Sequence, residues 1–170
     1  ENVYTIYGDD ETSMSIPAAF QVAAPFGADM AGVDPALWAF NADAQHDSWL
    51  TVGLTDSDAD HVLGTIGIHF ADWTETAGLE IDNGAIFWID PHSGPVGDGA
   101  ERRVALAQLT VGEGVTWTAT ISMKGRLASG ADWNSIGMAF TNEIAAHGGI
   151  CAAPESLDGY TIVTAERNAA

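Results

Sequence analysis

The chain has 170 residues, of which 46% are hydrophobic and 17% are charged. Its 24 Asp and Glu residues outnumber five Lys and Arg, which gives a formal net charge of −19 at pH 7. The apolar content predicts a folded single domain rather than a disordered chain. The negative charge argues against nucleic acid or anionic membranes as partners, because binding to phosphates depends on basic side chains.

Three further features bear on the cellular setting. The single cysteine, Cys151, has no second cysteine with which to form an internal disulfide. No run of about 18 apolar residues is present, so the sequence predicts no membrane insertion through a helix. The chain begins with Glu1 rather than Met, and we interpret it as a processed mature form or as a piece of a larger protein.

The clearest structural signal lies in residues 115–124, VTWTATISMK. Apolar residues at every second position, from Val115 to Met123, alternate with Thr, Ser and Lys. Side chains in a strand point alternately to opposite faces, so this pattern predicts a β-strand with one face in a core and the other in water.

Shorter alternating or apolar runs predict further strands on both sides of that segment. They lie at residues 2–7, 14–24, 47–55, 66–68, 85–89, 104–111, 133–140 and 159–164, and residues 36–40 fit either a short strand or one helical turn. Asn83-Gly84 is a strong hairpin signal. Gly112-Glu113-Gly114 predicts a second hairpin, which joins 104–111 to the strand at 115–124.

Many short strands, frequent turn residues and no amphipathic helix predict an all-β fold, an antiparallel β-sandwich or jelly roll. We place this domain at residues 1–142. Residues 143–170 form an Ala/Gly-rich C-terminal tail that contains one β-prone segment, GYTIVT.

One acidic turn is a candidate metal site. Asp56, Asp58 and Asp60 alternate as carboxylates do at the start of a calcium loop. The glycine and glutamate of an EF-hand are replaced by His61 and Gly67, so a plain acidic turn is the alternative. Calcium is the only cofactor that the sequence suggests, because the histidines lack the spacing of zinc motifs.

The sequence contains no catalytic signature. It has neither Gly-x-Ser-x-Gly nor a cysteine and histidine pattern, and we predict that it is not an enzyme. Trp38 and Trp73 lie in irregular segments and are candidates for a carbohydrate-binding surface. We assign the tryptophans inside predicted strands to the core: Trp49, Trp88, Trp117 and Trp133.

Four longer phrases carry a family resemblance: SIPAAFQVAAPFGADMAGVDPALWAFNADA, DSWLTVGLTD, DNGAIFWIDP and VALAQLTV. They resemble a domain of uncharacterised, often tandem-repeat proteins of marine unicellular algae. The resemblance covers about residues 3–141 and leaves out the tail. It implies a marine algal origin and a structural or coat role, akin to the self-assembling shells of algal organelles, and it brings no catalytic residues.

These observations predict a non-enzymatic structural module that assembles through strand edges and its tail. Its partners would be copies of itself or neighbouring repeat units. The alternative is an extracellular carbohydrate-binding or adhesion module that is calcium-dependent and binds polysaccharide. We expect a secreted or cell-surface protein, with an organelle shell as the alternative location.

Overall fold

The structure is a computed structural model that describes residues 2–57, 63–95 and 104–142, together with the backbone of 103, 155–157 and 160–168. The strands are β1 (Asn2–Gly8), β2 (Met14–Ile16), β3 (Trp49–Leu50), β4 (Leu63–Ile66), β5 (Leu79–Ile81), β6 (Gly84–Trp88), β7 (Arg103–Gly112), β8 (Thr118–Arg126), β9 (Asp132–Thr141), β10 (Glu155–Leu157) and β11 (Tyr160–Asn168). They form two antiparallel sheets. The predicted all-β class is confirmed.

The first sheet holds seven strands, and two pairs of them act as single interrupted strands. β2 continues β1, because both pair with β8. β5 and β6 likewise form one interrupted strand, because β5 pairs with β2 and β6 pairs with β1. Ile81 of β5 lies opposite Met14 of β2, and Gly84 of β6 lies opposite Gly8 of β1. Lys124 of β8 faces both Thr5 and Asn134. Across the sheet, the order is therefore β4, then the β5–β6 line, then the β1–β2 line, then β8, and finally β9.

The second sheet has the order β10-β11-β7-β3. β11 pairs with β7 along its whole length, from Tyr160 opposite Gly112 to Asn168 opposite Arg103. The β-prone segment predicted at 159–164 thus overlaps β11. The division of the chain at residue 142 stays a prediction.

The inner faces of the two sheets share one hydrophobic core. Its most deeply buried members, each at most 1% exposed, include Ile6, Ile86, Ile121 and Met123 from the first sheet and Leu106 and Leu109 from the second. Burying one such side chain fully contributes about 1.5–3 kcal/mol. Side chains of both sheets therefore contribute to a common core, and the finer assignment to a sandwich or jelly roll stays a prediction.

The strand predicted at 115–124 is confirmed in its main part and shifted towards the C-terminus. β8 begins at Thr118, and Val115 is 47% exposed. The segment before β8 is hydrogen-bonded to the side chain of Asn142 rather than to the backbone of a neighbouring strand. Asn142 Nδ2 donates to the Val115 carbonyl at 2.7 Å, and its Oδ1 accepts from the Trp117 N–H at 3.0 Å.

Both predicted hairpins are wrong. Asn83-Gly84 lies at the interruption between β5 and β6, which continue in one direction beside β1 and β2. The turn at Gly112–Gly114 connects two different sheets, because β7 lies in the second and β8 in the first. In both places the residues predict a turn from local sequence alone. Which strands then pair depends on strands that are distant in the sequence.

Several predicted strands are shorter than their sequence patterns suggest. Segment 14–24 keeps only β2, since Pro17 cannot donate to a ladder, and 47–55 keeps only β3. Residues 36–40 fall largely in a 3-10 helix, Pro35–Ala39, which is capped by Asp34. Two more 3-10 helices in the described residues are Ala42–His46 and Phe70–Asp72. Within the described ranges, no helix is long and apolar enough to cross a membrane.

Candidate functional site

The β8–β9 hairpin forms one margin of the first sheet. Its ladder runs from Arg126 opposite Asp132 to Thr118 opposite Thr141. The connecting turn closes through the Gly130 N–H, which donates to the Leu127 carbonyl at 2.9 Å. Gly130 has φ of +86°, a value that glycine adopts without steric cost. The hairpin therefore follows directly from local sequence.

A β-bulge divides β9 near its middle. Ile136 and Gly137 together lie opposite Ser122, between the pairs Met123–Ser135 and Ile121–Met138. Gly137 has φ of +61°, and its N–H donates to Ser122 Oγ at 3.0 Å. Bulges bend a strand and shift which side chains share a face. Here Asn134 and Ala139, five positions apart, both lie on the outer face, opposite Lys124 and Thr120.

The second edge of β9 is exposed. No strand in the part of the chain that the structure describes pairs with it. Ile136 is 61% exposed and Met138 is 37% exposed. Residues 133–142, WNSIGMAFTN, contain no charged residue in a chain that carries 24 acids. Proteins usually protect such an edge with charges, proline, a β-bulge or a covering loop. Within the described residues β9 has the bulge at Ile136 and Gly137, but no proline and no charge after Asp132.

Immediately behind this edge, the outer face of β8 carries a lysine over an aromatic ring. Lys124 Nζ lies 4.8 Å from the centre of the Tyr7 ring. The Tyr7 hydroxyl donates to Asn134 Oδ1 at 2.8 Å, which ties β1 to β9 across β8. Among the described residues, no carboxylate lies within ion-pair distance of Lys124.

Arg126 lies two positions further along the same face of β8. Its Nε donates to Asp132 Oδ1 at 2.8 Å, and its Nη1 lies 3.1 Å from His92 Nε2. The hydrogen bond to Asp132 raises the pKa of Arg126 above its ordinary value. Lys124 and Arg126 are the two Lys or Arg residues whose side chains the structure describes. Lys124 therefore places one positive charge behind the β9 edge, and the charge of Arg126 is offset by Asp132 at the start of β9.

A buried carboxyl group lies away from this edge. Asp47 is 0% exposed, and its two oxygens accept from the Val22 N–H at 2.7 Å and the Ala28 N–H at 2.6 Å. Burial raises its pKa to about 6, and the backbone N–H donors oppose that rise. A raised carboxyl pKa is one mark of a catalytic acid. Because both oxygens are engaged and shielded, we assign Asp47 to holding the segment between Val22 and Ala28.

The predicted acidic turn lies only partly within the described residues. Asp56 is exposed and its backbone bridges to Gly32. Asp58 and Asp60 fall outside those residues. No group of three His, Cys, Asp or Glu side chains that could hold a metal ion occurs in the described part.

The two candidate carbohydrate-binding tryptophans differ in exposure. Trp38 is 41% exposed on the helix Pro35–Ala39, and Phe40, two residues later, is 78% exposed. Trp73 is 3% exposed and its Nε1–H donates to the Pro17 carbonyl at 2.8 Å, so its ring is not accessible for stacking on a sugar. The assignment of four tryptophans to the core is confirmed for Trp49, Trp88 and Trp117, which are buried. Trp133 is only partly buried and packs against the core from β9, at the margin of the sheet.

The β9 edge is not among the sites that the sequence patterns predict. The available signal was the charge-free run at 133–142 inside a strongly acidic chain, which the alternation pattern alone does not reveal. Comparison of the chain with protein-family models, with curated proteins and with solved structures finds no match.

Proposed function

We propose that the chain is a non-enzymatic structural module that assembles with copies of itself through the exposed edge of β9. The observation that supports this most strongly is the edge itself, a strand of ten residues with Ile136 and Met138 exposed and no charge from 133 to 142. Unpaired N–H and C=O groups on such an edge are a template for another strand. The location, at the cell surface or in an organelle shell, stays a prediction.

The acid surplus makes association at this edge selective. Copies with a net charge of −19 repel each other wherever their acidic surfaces meet. The β9 edge adds little to this repulsion, because residues 133–142 carry no charge and Lys124 lies directly behind them. Charge thus opposes random aggregation and favours the approach of two copies through their β9 edges.

The test is the assembly state of the full chain, measured by sedimentation velocity and electron microscopy in seawater-like salt. Ile136→Lys places a charge on the edge and should return the protein to monomers. Ile89→Lys is the matched control, since Ile89 is 68% exposed, compared with 61% for Ile136, and follows an interior strand of the sheet. A monomeric wild type, or equal assembly in both variants, would refute the proposal.

The tail is the second element of the proposed assembly. In the structure β11 pairs with β7 of its own chain. We propose that the same pairing can be exchanged between copies, as in strand addition to a neighbouring subunit. Deleting residues 143–170 should then reduce assembly. If the tail only covers its own β7, deletion uncovers a long edge and assembly increases, which would contradict exchange.

A carbohydrate-binding function is the second candidate, and it is supported by the exposed pair Trp38 and Phe40. Exposed aromatic rings can stack on sugars as well as pack on proteins. Glycan-array binding that is lost in Trp38→Ala, measured with and without calcium, would favour this function. Absence of binding in both conditions would remove it.

A further inference from the structure

This inference rests on the proposed function and concerns how two copies meet. We propose that β9 pairs antiparallel with β9 of a second copy, about a two-fold axis that passes between Ile136 and Gly137. The pair joins the first sheets of two molecules into one continuous sheet. In this register Asn134 of each copy lies opposite Ala139 of the other.

Strand length favours β9 as its own partner. The opposite margin of the first sheet is β4, which has four residues and is followed by Gly67 in a left-handed conformation, φ +69°. Pairing β9 with β4 would leave more than half of β9 uncovered. Pairing β9 with β9 matches the two strands along their whole length, with the middle of one strand, residues 134–139, opposite the middle of the other.

Charge favours the antiparallel direction. Asp132 is the only charged residue of β9 and lies at its first position. A parallel, in-register pair would bring the Arg126–Asp132 ion pairs of the two copies side by side, with their carboxylates adjacent, and like charges directly opposite one another destabilise a sheet. The antiparallel pair places the two carboxylates at opposite ends, about 30 Å apart at 3.4 Å per residue.

The bulge determines the register. Directly opposed residues in an antiparallel pair lie on the same face of the sheet. Without the bulge, Asn134 and Ala139 would point to opposite faces, because they are an odd number of positions apart. With it, both are exposed on the outer face, and they flank the middle of β9 symmetrically. Maximum overlap therefore also brings matching faces together.

Disulfide trapping tests this arrangement in the full-length chain, with Cys151→Ser to remove the native thiol. Two variants are made in that background, Asn134→Cys and Ala139→Cys. Opposed residues in a sheet lie about 4.5–5.5 Å apart between Cα atoms, within the range that a disulfide spans. Mild oxidation should give a covalent dimer when the two variants are mixed and little from either variant alone. Circular dichroism checks that each variant folds.

The outcomes separate this inference from the proposed function. Covalent dimers from each variant alone indicate parallel pairing and overturn the antiparallel inference. Assembly by sedimentation without any cross-link, alone or mixed, overturns β9-to-β9 pairing in this register. A wild type that stays monomeric at every salt concentration overturns the proposed function itself.

Discussion

The buried carboxyl of Asp47 predicts a particular dependence of stability on pH. The group is fully buried, and its neighbours are backbone N–H donors rather than a basic side chain. Burial raises its pKa from 3.8 to about 6, with Asp29 adding a smaller rise. The folded protein thus holds this proton at pH values where the unfolded chain has released it.

The sign and size of the effect follow from proton linkage. Stability from the protonated group is fully present below about pH 4, the ordinary carboxyl pKa, and is lost as pH rises through about 6. The loss is at most about 3 kcal/mol, since one pKa unit corresponds to 1.36 kcal/mol. Repulsion among the other acids changes in the same direction, so the wild-type profile alone does not isolate Asp47.

Asp47→Asn isolates the contribution, because it keeps the size of the side chain and removes the titration. We expect the variant to be less stable at pH 4, since its amide N–H₂ faces a backbone N–H. The difference from wild type should shrink by up to about 3 kcal/mol towards pH 7. Urea unfolding followed by tryptophan fluorescence measures both profiles, with the exposed Asp43→Asn as the control for net charge. Parallel profiles for wild type and Asp47→Asn would refute the reasoning.

Further predictions concern assembly and packing. Raising the salt concentration should strengthen assembly in sedimentation experiments, because it screens the repulsion between chains of net charge −19; weakening by salt would contradict this. Met123→Ala should lower the free energy of unfolding by about 2–5 kcal/mol, since Met123 is 0% exposed. Trp73→Phe should cost about 1 kcal/mol through loss of the hydrogen bond to Pro17. Gly137→Ala should cost about 1–2 kcal/mol, because φ is +61° there. Urea unfolding checks these three, and unchanged midpoints would contradict them.

The sequence predicted the strands whose pattern is set locally. β1, β7, β8 and β9 each carry a long run of strand-forming residues, and all four lie close to their predicted bounds. Pairing could not be predicted in the same way. Asn83-Gly84 has the composition of a hairpin turn, yet the interrupted β1 and β2 keep β5 and β6 in one line.

The candidate site depended on information that no single segment contains. The charge-free run at 133–142 is visible in the sequence. It indicates an assembly surface only once β9 is known to be an edge strand of the first sheet. The same holds for Trp73, whose burial depends on the Pro17 carbonyl 56 positions away. Lys124 is likewise predictable as a solvent-facing residue, whereas its position behind an open edge is not.

The strand edges and the charge distribution together explain why β9 is the proposed point of assembly. Among the other edges that the structure describes, β3 has two residues, β4 has four, and the long edge of β7 is covered by β11. β10 covers only three residues of β11, but the remainder of β11 carries Glu166 and Arg167, whereas residues 133–142 carry no charge. Acidic turns make other approaches repulsive, since like charges act over about 8 Å at physiological ionic strength. In the proposed assembly, salt controls how often two copies meet, and the length, charge and bulge of β9 control how they pair. Ile136→Lys should therefore abolish assembly at every salt concentration, whereas low salt should weaken assembly without changing the Asn134–Ala139 cross-link.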